Sequence, residues 1–338
     1  MNPVNVGLVG LGGMGRTHFE CYAKSMKARI VALCDIDEQK LTGDWANIGL
    51  NLGDTGATSI DFKEIQRTTD YNDLLANAEI DVIDICTPTY IHAKIGVDAL
   101  HAGKHVLCEK PMGFDQGQCW AMEKAFQESG KQLMVAHCLR YWPQYVKAHE
   151  IIRNEEYGRP LYARFHRAGG TPSWSTRDWM RKPEKSGGAP LDPHIHDVDA
   201  ALWWFGKPQH VHASGICIDS LPTVVDSTWR YNDGPVVSLY GAWDHNGGPF
   251  RYAFKVIMER ATLSCDSLMD NAKLKLFIGP DVMEVETPEG SAYEAEIEDF
   301  LDCIQTGRRL TRVTPDDGRL AVELVREEMR QMGAHALH

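Results

Sequence analysis

Short apolar runs alternate with helix-like stretches along the first third of the chain. Residues 4–9, 30–34, 82–86, 105–108 and 132–136 are nearly continuous apolar runs of strand length. Residues 14–27, 91–102 and 116–129 read as helices, and Gly103 and Gly130 close the last two. A further helical turn is predicted to start at Tyr71. Apolar strands separated by helices predict βαβ units around a parallel sheet. Residues 41–68 fit this pattern least, because Gly43, Gly49, Gly53 and Gly56 predict a helix and loop of irregular length.

Past about residue 140 the pattern changes. Residues 161–167, 211–218, 223–231, 236–244 and 252–258 predict longer strands. Turn signals such as Asn232-Asp233-Gly234 and Asn246-Gly247-Gly248 lie between several of them, which predicts a largely antiparallel sheet. Helices are predicted at 144–154 and 193–205, and the chain closes with helices at 293–305 and 315–332. The expected fold is an α/β domain over 1–138 followed by an α+β domain over 139–338, with the closing helix expected to return to the first.

Composition narrows the function. At roughly 150 residues per domain, 338 residues suit two domains. With 43% hydrophobic and 24% charged residues the chain is an ordinary globular one. Its net charge of −12 disfavours binding to nucleic acid or to anionic membrane. No apolar run approaches the roughly 20 residues of a membrane helix, and the first residues do not read as a signal peptide. Nine cysteines without a C-x-x-C pair do not suggest a disulfide framework or a thiolate zinc site. A reducing cytoplasm is the expected location.

Gly10-Leu11-Gly12-Gly13-Met14-Gly15 fits G-x-G-x-x-G between a predicted strand and a predicted helix, the context a dinucleotide fingerprint requires. Gly10 permits the tight turn, Gly12 lets a pyrophosphate approach the backbone, and Gly15 lets helix and strand pack closely. The helix N-terminus offers its N–H groups to phosphates. Asp35, at the end of the second strand, suits the ribose hydroxyls of NAD and would repel a 2′-phosphate. Arg16 argues the other way, since it is placed to meet the extra phosphate of NADP. The alternative is a plain glycine turn with a chance acid.

Two further groups carry chemistry. Cys108-Glu109-Lys110-Pro111 follows a strand, so Lys110 is aimed where ligands collect in an open α/β sheet, though an isolated lysine is more often a surface residue. Thr87-Pro88 follows the neighbouring strand, with Thr87 placed to approach a ribose. Asp192 and His196 stand four residues apart at the head of a predicted helix, where a carboxylate raises the basicity of an imidazole. The plain alternative for Asp192, followed by Pro193, is a helix cap. His194 and His196 point apart on a helix, which disfavours a metal site shared with Asp192. Trp174, Trp179, Trp203 and Trp204 flank this segment. One of them is a candidate to stack on a sugar ring, with core burial the expected role of Trp203 and Trp204.

Together these features resemble the Gfo/Idh/MocA family of oxidoreductases, which includes glucose–fructose oxidoreductase and inositol dehydrogenases. The resemblance runs chain-wide through the Gly10–Gly15 turn, Thr87-Pro88 with His92, Glu109-Lys110-Pro111, Arg140-Tyr141 with Pro143, Gly187-Gly188 before Asp192 and His196, and the helices from Tyr293. It implies a Rossmann domain and a second domain whose open, mostly antiparallel sheet forms a dimer or tetramer. It implies oxidation of a secondary alcohol of a sugar or cyclitol, or the reverse. Gly10, Gly12, Gly13, Met14, Gly15, Asp35, Thr87, Pro88, His92, Glu109 and Lys110 would line the nicotinamide cofactor. His196 would be the general base, and Lys110, Asp192, His196 and Arg140 would contact substrate. The family also includes NAD-retaining glycoside hydrolases and non-catalytic sensors, which stand as alternatives. His194 departs from the glycine common at its position and suggests an extra polar contact near the substrate.

Overall fold

The computed structural model describes residues 2–45, 62, 64–173, 175–243, 248–269 and 271–333. The apolar runs of the first third become parallel strands β1 (Val4–Val9), β2 (Ala28–Cys34), β4 (Val82–Ile85), β5 (His105–Glu109) and β6 (Leu133–Ala136). A short polar strand, β3 (Gln66–Thr68), joins them without an apolar signature. Helices α1 (Gly13–Lys24), α2 (Tyr71–Ala76), α3 (Thr89–His101) and α4 (Gln116–Ser129) connect the strands. Asp115 caps α4 by accepting the Gln118 N–H, and Gly130 ends it in the left-handed conformation.

The strand order is β3-β2-β1-β4-β5-β6. It reverses direction between β1 and β4, and ligands bind beyond the carboxyl ends of strands at such a point. Val9 pairs with Ile85 there, so Gly10 and Cys86 leave the sheet side by side. Under the β1–β2 side lies an apolar cluster that includes Leu11, Phe19, Leu41, Trp45 and Phe62. Phe19 meets Trp45 edge-on at 5.1 Å. Gly49, Gly53 and Gly56 of the irregular segment lie outside the described residues, as do Trp174 and the Asn246-Gly247 turn.

The second sheet is built from β7 (Pro160–Ala168), β8 (His210–Ile218), β9 (Leu221–Arg230), β10 (Val236–Ala242), β11 (Arg251–Met258), β12 (Thr262–Asp266), β13 (Lys275–Ile278) and β14 (Asp281–Glu284). Its order is β14-β13-β12-β11-β7-β10-β9-β8. β7 and β10 pair in parallel and the other neighbours antiparallel. The last three strands extend the sheet beyond the sequence expectation. Helices α5 (Pro143–Arg153), α6 (Pro183–Ser186), α7 (Ile195–Phe205), α8 (Ala292–Thr306) and α9 (Pro315–Gln331) complete the chain. One face of the sheet buries Phe165 and Phe254 under Tyr145 of α5 and Trp204 of α7, with ring centroids 4.8–5.6 Å apart.

The chain forms two compact units. One comprises Met1–His137, Trp174–Trp179 and Tyr293–Arg319; the other comprises Cys138–Ser173, Met180–Ala292 and Leu320–His338. No helix among the described residues is long and apolar enough to cross a membrane. All nine cysteines are free; eight are buried and Cys217 on β8 is exposed. Because Phe254 touches three other rings, Phe254→Ala is expected to cost about 3–5 kcal/mol of stability, measured by urea unfolding.

Candidate active site

The glycine turn is built by close approach. Gly10 has φ +95°, and a β-carbon there would stand 2.5 Å from the Cys86 carbonyl oxygen. A β-carbon on Gly15 would stand 1.9 Å from the Gly10 oxygen. Gly12, the N-cap of α1, instead opens onto free space. No side chain caps α1 and its first turn holds no acid, so its N-terminal N–H groups face that space. Gly13 and Met14 form the first turn, and the Met14 side chain packs against the apolar cluster. Nearby, Thr87 follows β4 with its Oγ1 buried and without a hydrogen-bond partner. Pro88 is the N-cap of α3. An open helix N-terminus beside an orphaned hydroxyl fits a dinucleotide.

Asp35 braces this turn. Its Oδ2 accepts the Leu11 N–H at 2.7 Å and its Oδ1 accepts the Asp37 N–H at 2.8 Å. Lys40 Nζ lies 3.3 Å from Oδ2. Arg16 is not the phosphate reader that the sequence suggests. It is buried, with Nε donating to Glu20 and Nη1 to the Trp45 carbonyl.

Lys110 is half-buried at the end of β5. Two neighbours predicted to line the cofactor brace this region instead. His92 is buried, with Nδ1 2.8 Å from the Pro111 carbonyl oxygen and Nε2 2.6 Å from that of Thr87. Burial lowers its pKa despite those two oxygens. His92 therefore ties the turn after β4 to the turn after β5. Glu109 accepts the Lys110 N–H at 3.0 Å. Burial would raise the Glu109 pKa, but His18, Lys110 and His92 outweigh it and hold the carboxyl below its usual range.

Sequence reasoning missed His18 on α1. It is fully buried, with Nδ1 2.9 Å from Asp84 Oδ2 and Nε2 3.4 Å from Glu109 Oε1. Burial opposes its charge, yet Asp84 and Cys86 raise its pKa well above the ordinary value. The available signal was Asp84, an acid inside the apolar run Val82-Ile83-Asp84-Ile85, which requires a partner when buried. His18, Asp84 and Cys86 lie close enough to resemble a metal-ligand set. Burial and Asp84 push the Cys86 thiol up.

In the second unit, Gly187 and Gly188 lead into an irregular five-residue helical turn, Pro190–His194, that runs directly into α7. The helical course thus begins before Asp192, which sits inside the turn and is not its cap. Asp192 and His196 are one helical turn apart and half-buried, among neighbours that are buried. His194 is fully buried, and its Nε2 lies 2.8 Å from Glu328 Oε2. It faces the protein interior, contrary to the substrate contact that the sequence suggests.

Two family models match this chain. One, described as an oxidoreductase family with an NAD-binding Rossmann fold, matches residues 4–137; the other, the GFO/IDH/MocA C-terminal domain, matches residues 145–264. The chain belongs to the GFO/IDH/MocA oxidoreductase family. An inositol 2-dehydrogenase of Salmonella typhimurium (strain LT2) is 29% identical over 331 residues, covering 94% of this chain and 91% of its own. The uncharacterized oxidoreductase YrbE of Bacillus subtilis (strain 168) is 26% identical over 351 residues, covering 96% and 93%. A solved levoglucosan dehydrogenase, in complex with NADH and levoglucosan, shares the fold with a TM-score of 0.83 at 21% identity over 98% of each chain.

Within this GFO/IDH/MocA chain, Arg140 departs from the substrate role given to it above. It is buried, and its guanidinium forks onto Asp199, with Nε at 3.0 Å and Nη2 at 2.8 Å. Of the flanking tryptophans, Trp204 lies in the core, Trp203 stacks on His149 at 4.0 Å, and Trp179 is half-exposed.

Two outcomes follow. Gly15→Ala is expected to abolish NADH binding, read by nicotinamide fluorescence, because the Gly10 oxygen cannot move aside. His18 has a raised folded-state pKa. The stability it contributes is therefore complete below the ordinary histidine value of 6.5 and is lost as pH rises through the folded value. Unfolding free energy is expected to fall over that alkaline range in the native protein, and His18→Gln is expected to flatten the fall.

Proposed function

We propose that this protein transfers a hydride between a secondary alcohol carbon of a sugar, cyclitol or related polyol and NAD. The observation that carries the reading is the half-exposed Asp192 and His196, one turn apart in a helical stretch, 190–202, whose other residues are buried. The names of the inositol and levoglucosan dehydrogenases support the substrate class.

In this reading residues 1–138 hold the cofactor and supply Lys110, and residues 139–338 supply the other substrate groups. The nicotinamide, when bound, supplies the hydride acceptor. His196 takes the proton of the reacting hydroxyl and returns it in the reverse direction. Asp192 accepts hydrogen bonds from substrate hydroxyls and supports the charge that His196 gains. Lys110 donates to the substrate oxygen and to the nicotinamide ribose, and Thr87 Oγ1 meets the ribose as well. Asp35 favours NAD over NADP, although the ammonium of Lys40 beside it softens the repulsion of a 2′-phosphate.

We place the protein in the cytoplasm as a dimer or tetramer formed through the second sheet. Its free cysteines support the first statement. Exposed Leu161, Ile216, Ile218, Val282 and Met283 on the sheet support the second.

The test is the absorbance of reduced nicotinamide with NAD or NADP and a panel of sugars, cyclitols and sugar acids. His196→Ala is expected to lower kcat by about 10²–10⁴-fold, and Lys110→Ala to remove the signal. An unchanged turnover in His196→Ala would overturn the assignment of the base.

A further inference from the structure

A buried polar chain lies behind the Asp192–His196 turn. His194 Nε2 donates to Glu328 Oε2 at 2.8 Å, since a carboxylate only accepts. Glu328 Oε1 accepts the Trp229 Nε1–H at 2.9 Å. All three side chains are fully buried. The carboxylate of α9 thus holds the turn with one oxygen and β9 with the other.

We propose that Glu328 and His194 are positioning residues, which fix the turn so that Asp192 and His196 face the substrate. The inference rests on the reading of His196 as the base. Three features carry it. The turn has an irregular helical course with Pro193 inside it, and the His194 N–H reaches back to the Ala189 carbonyl at 3.1 Å. Such wide turns are rare and are found frequently at functional sites. Next, His194 stands two residues after Asp192 and two before His196, so it points away from both. Pinning it inward turns the other two outward, which agrees with their exposure. Third, the seat is shaped to the ring. A β-carbon on Gly241 of β10 would come 2.4 Å from His194 Cβ and 2.7 Å from its Nδ1.

Stability alone does not account for the group. Glu328 follows Ala321 by seven residues and Val325 by three, on the apolar stripe of α9. An apolar residue would pack there without the desolvation cost of a carboxylate. A displacement of about 1 Å in a catalytic group costs on the order of 10²-fold in rate, so a fixed turn has kinetic value.

The experiment compares the native protein with Glu328→Gln, Glu328→Leu and His196→Ala. It reads the melting temperature, NADH affinity by fluorescence, kcat and KM on an active polyol, and amide hydrogen exchange over residues 190–198. Glu328→Leu is expected to keep its melting temperature within a few degrees and its NADH affinity within twofold. Its kcat is expected to fall about 10–100-fold, with faster exchange in the turn. Glu328→Gln, which keeps one acceptor, is expected to recover part of that loss. Native kcat in Glu328→Leu with an inactive His196→Ala would overturn this inference alone. Native turnover in His196→Ala would overturn the base and this inference together. If the Glu328 variants do not fold, His194→Gln is read in the same way.

Discussion

His18 sits between two carboxylates, Asp84 of β4 and Glu109 of β5, with no access to water. It belongs to α1, the helix that opens at the glycine turn, and Glu109 precedes Lys110. One imidazole therefore relates the phosphate side of the first unit to its lysine. In a low dielectric such a group is strong while every member is present, and costly when one is removed. Asp84 raises the pKa of His18, and His18 in turn helps to hold the Glu109 carboxyl below its usual range. His92 adds a neutral tie between the same two strand ends.

The second unit solves a similar problem around α7. Asp197 and Asp199, both fully buried, point to different sides of the helix. Asp197 takes Arg167 of β7 at 2.9 Å, and Asp199 takes Arg140 at 2.8 Å. Two bidentate arginines on different sides prevent the helix from rolling about its axis. Trp204 anchors the same helix among the rings of the core. The rotation of the helix that carries His196 is thereby restrained by two buried ion pairs.

Strands β1, β4, β5 and β6 were legible because a parallel sheet buries both faces and leaves unbroken apolar runs. β3 is three polar residues, and β13 and β14 are four each, too short for alternation to stand out. The glycine turn, Lys110, Asp192 and His196 were legible because they lie in local motifs. Buried partners were not. Arg140 and His92 belong to motifs but serve as braces, and no local pattern separates a brace from a ligand. Glu328 did leave a trace, as an acid on an apolar stripe. Reading it required knowing that a histidine 134 residues away in sequence would meet it.

The cysteines have a practical corollary. Burial holds Cys21 at a pKa of about 11 and Cys34 and Cys265 at about 12, so these thiols stay protonated and shielded from reagents. Cys217 lies in the open on β8, at the end of the second sheet, beside a register shift in its pairing with β9. A thiol-specific dye would mark the folded chain at a single address, without engineering. Its emission would report directly on whether that sheet edge is bare or covered.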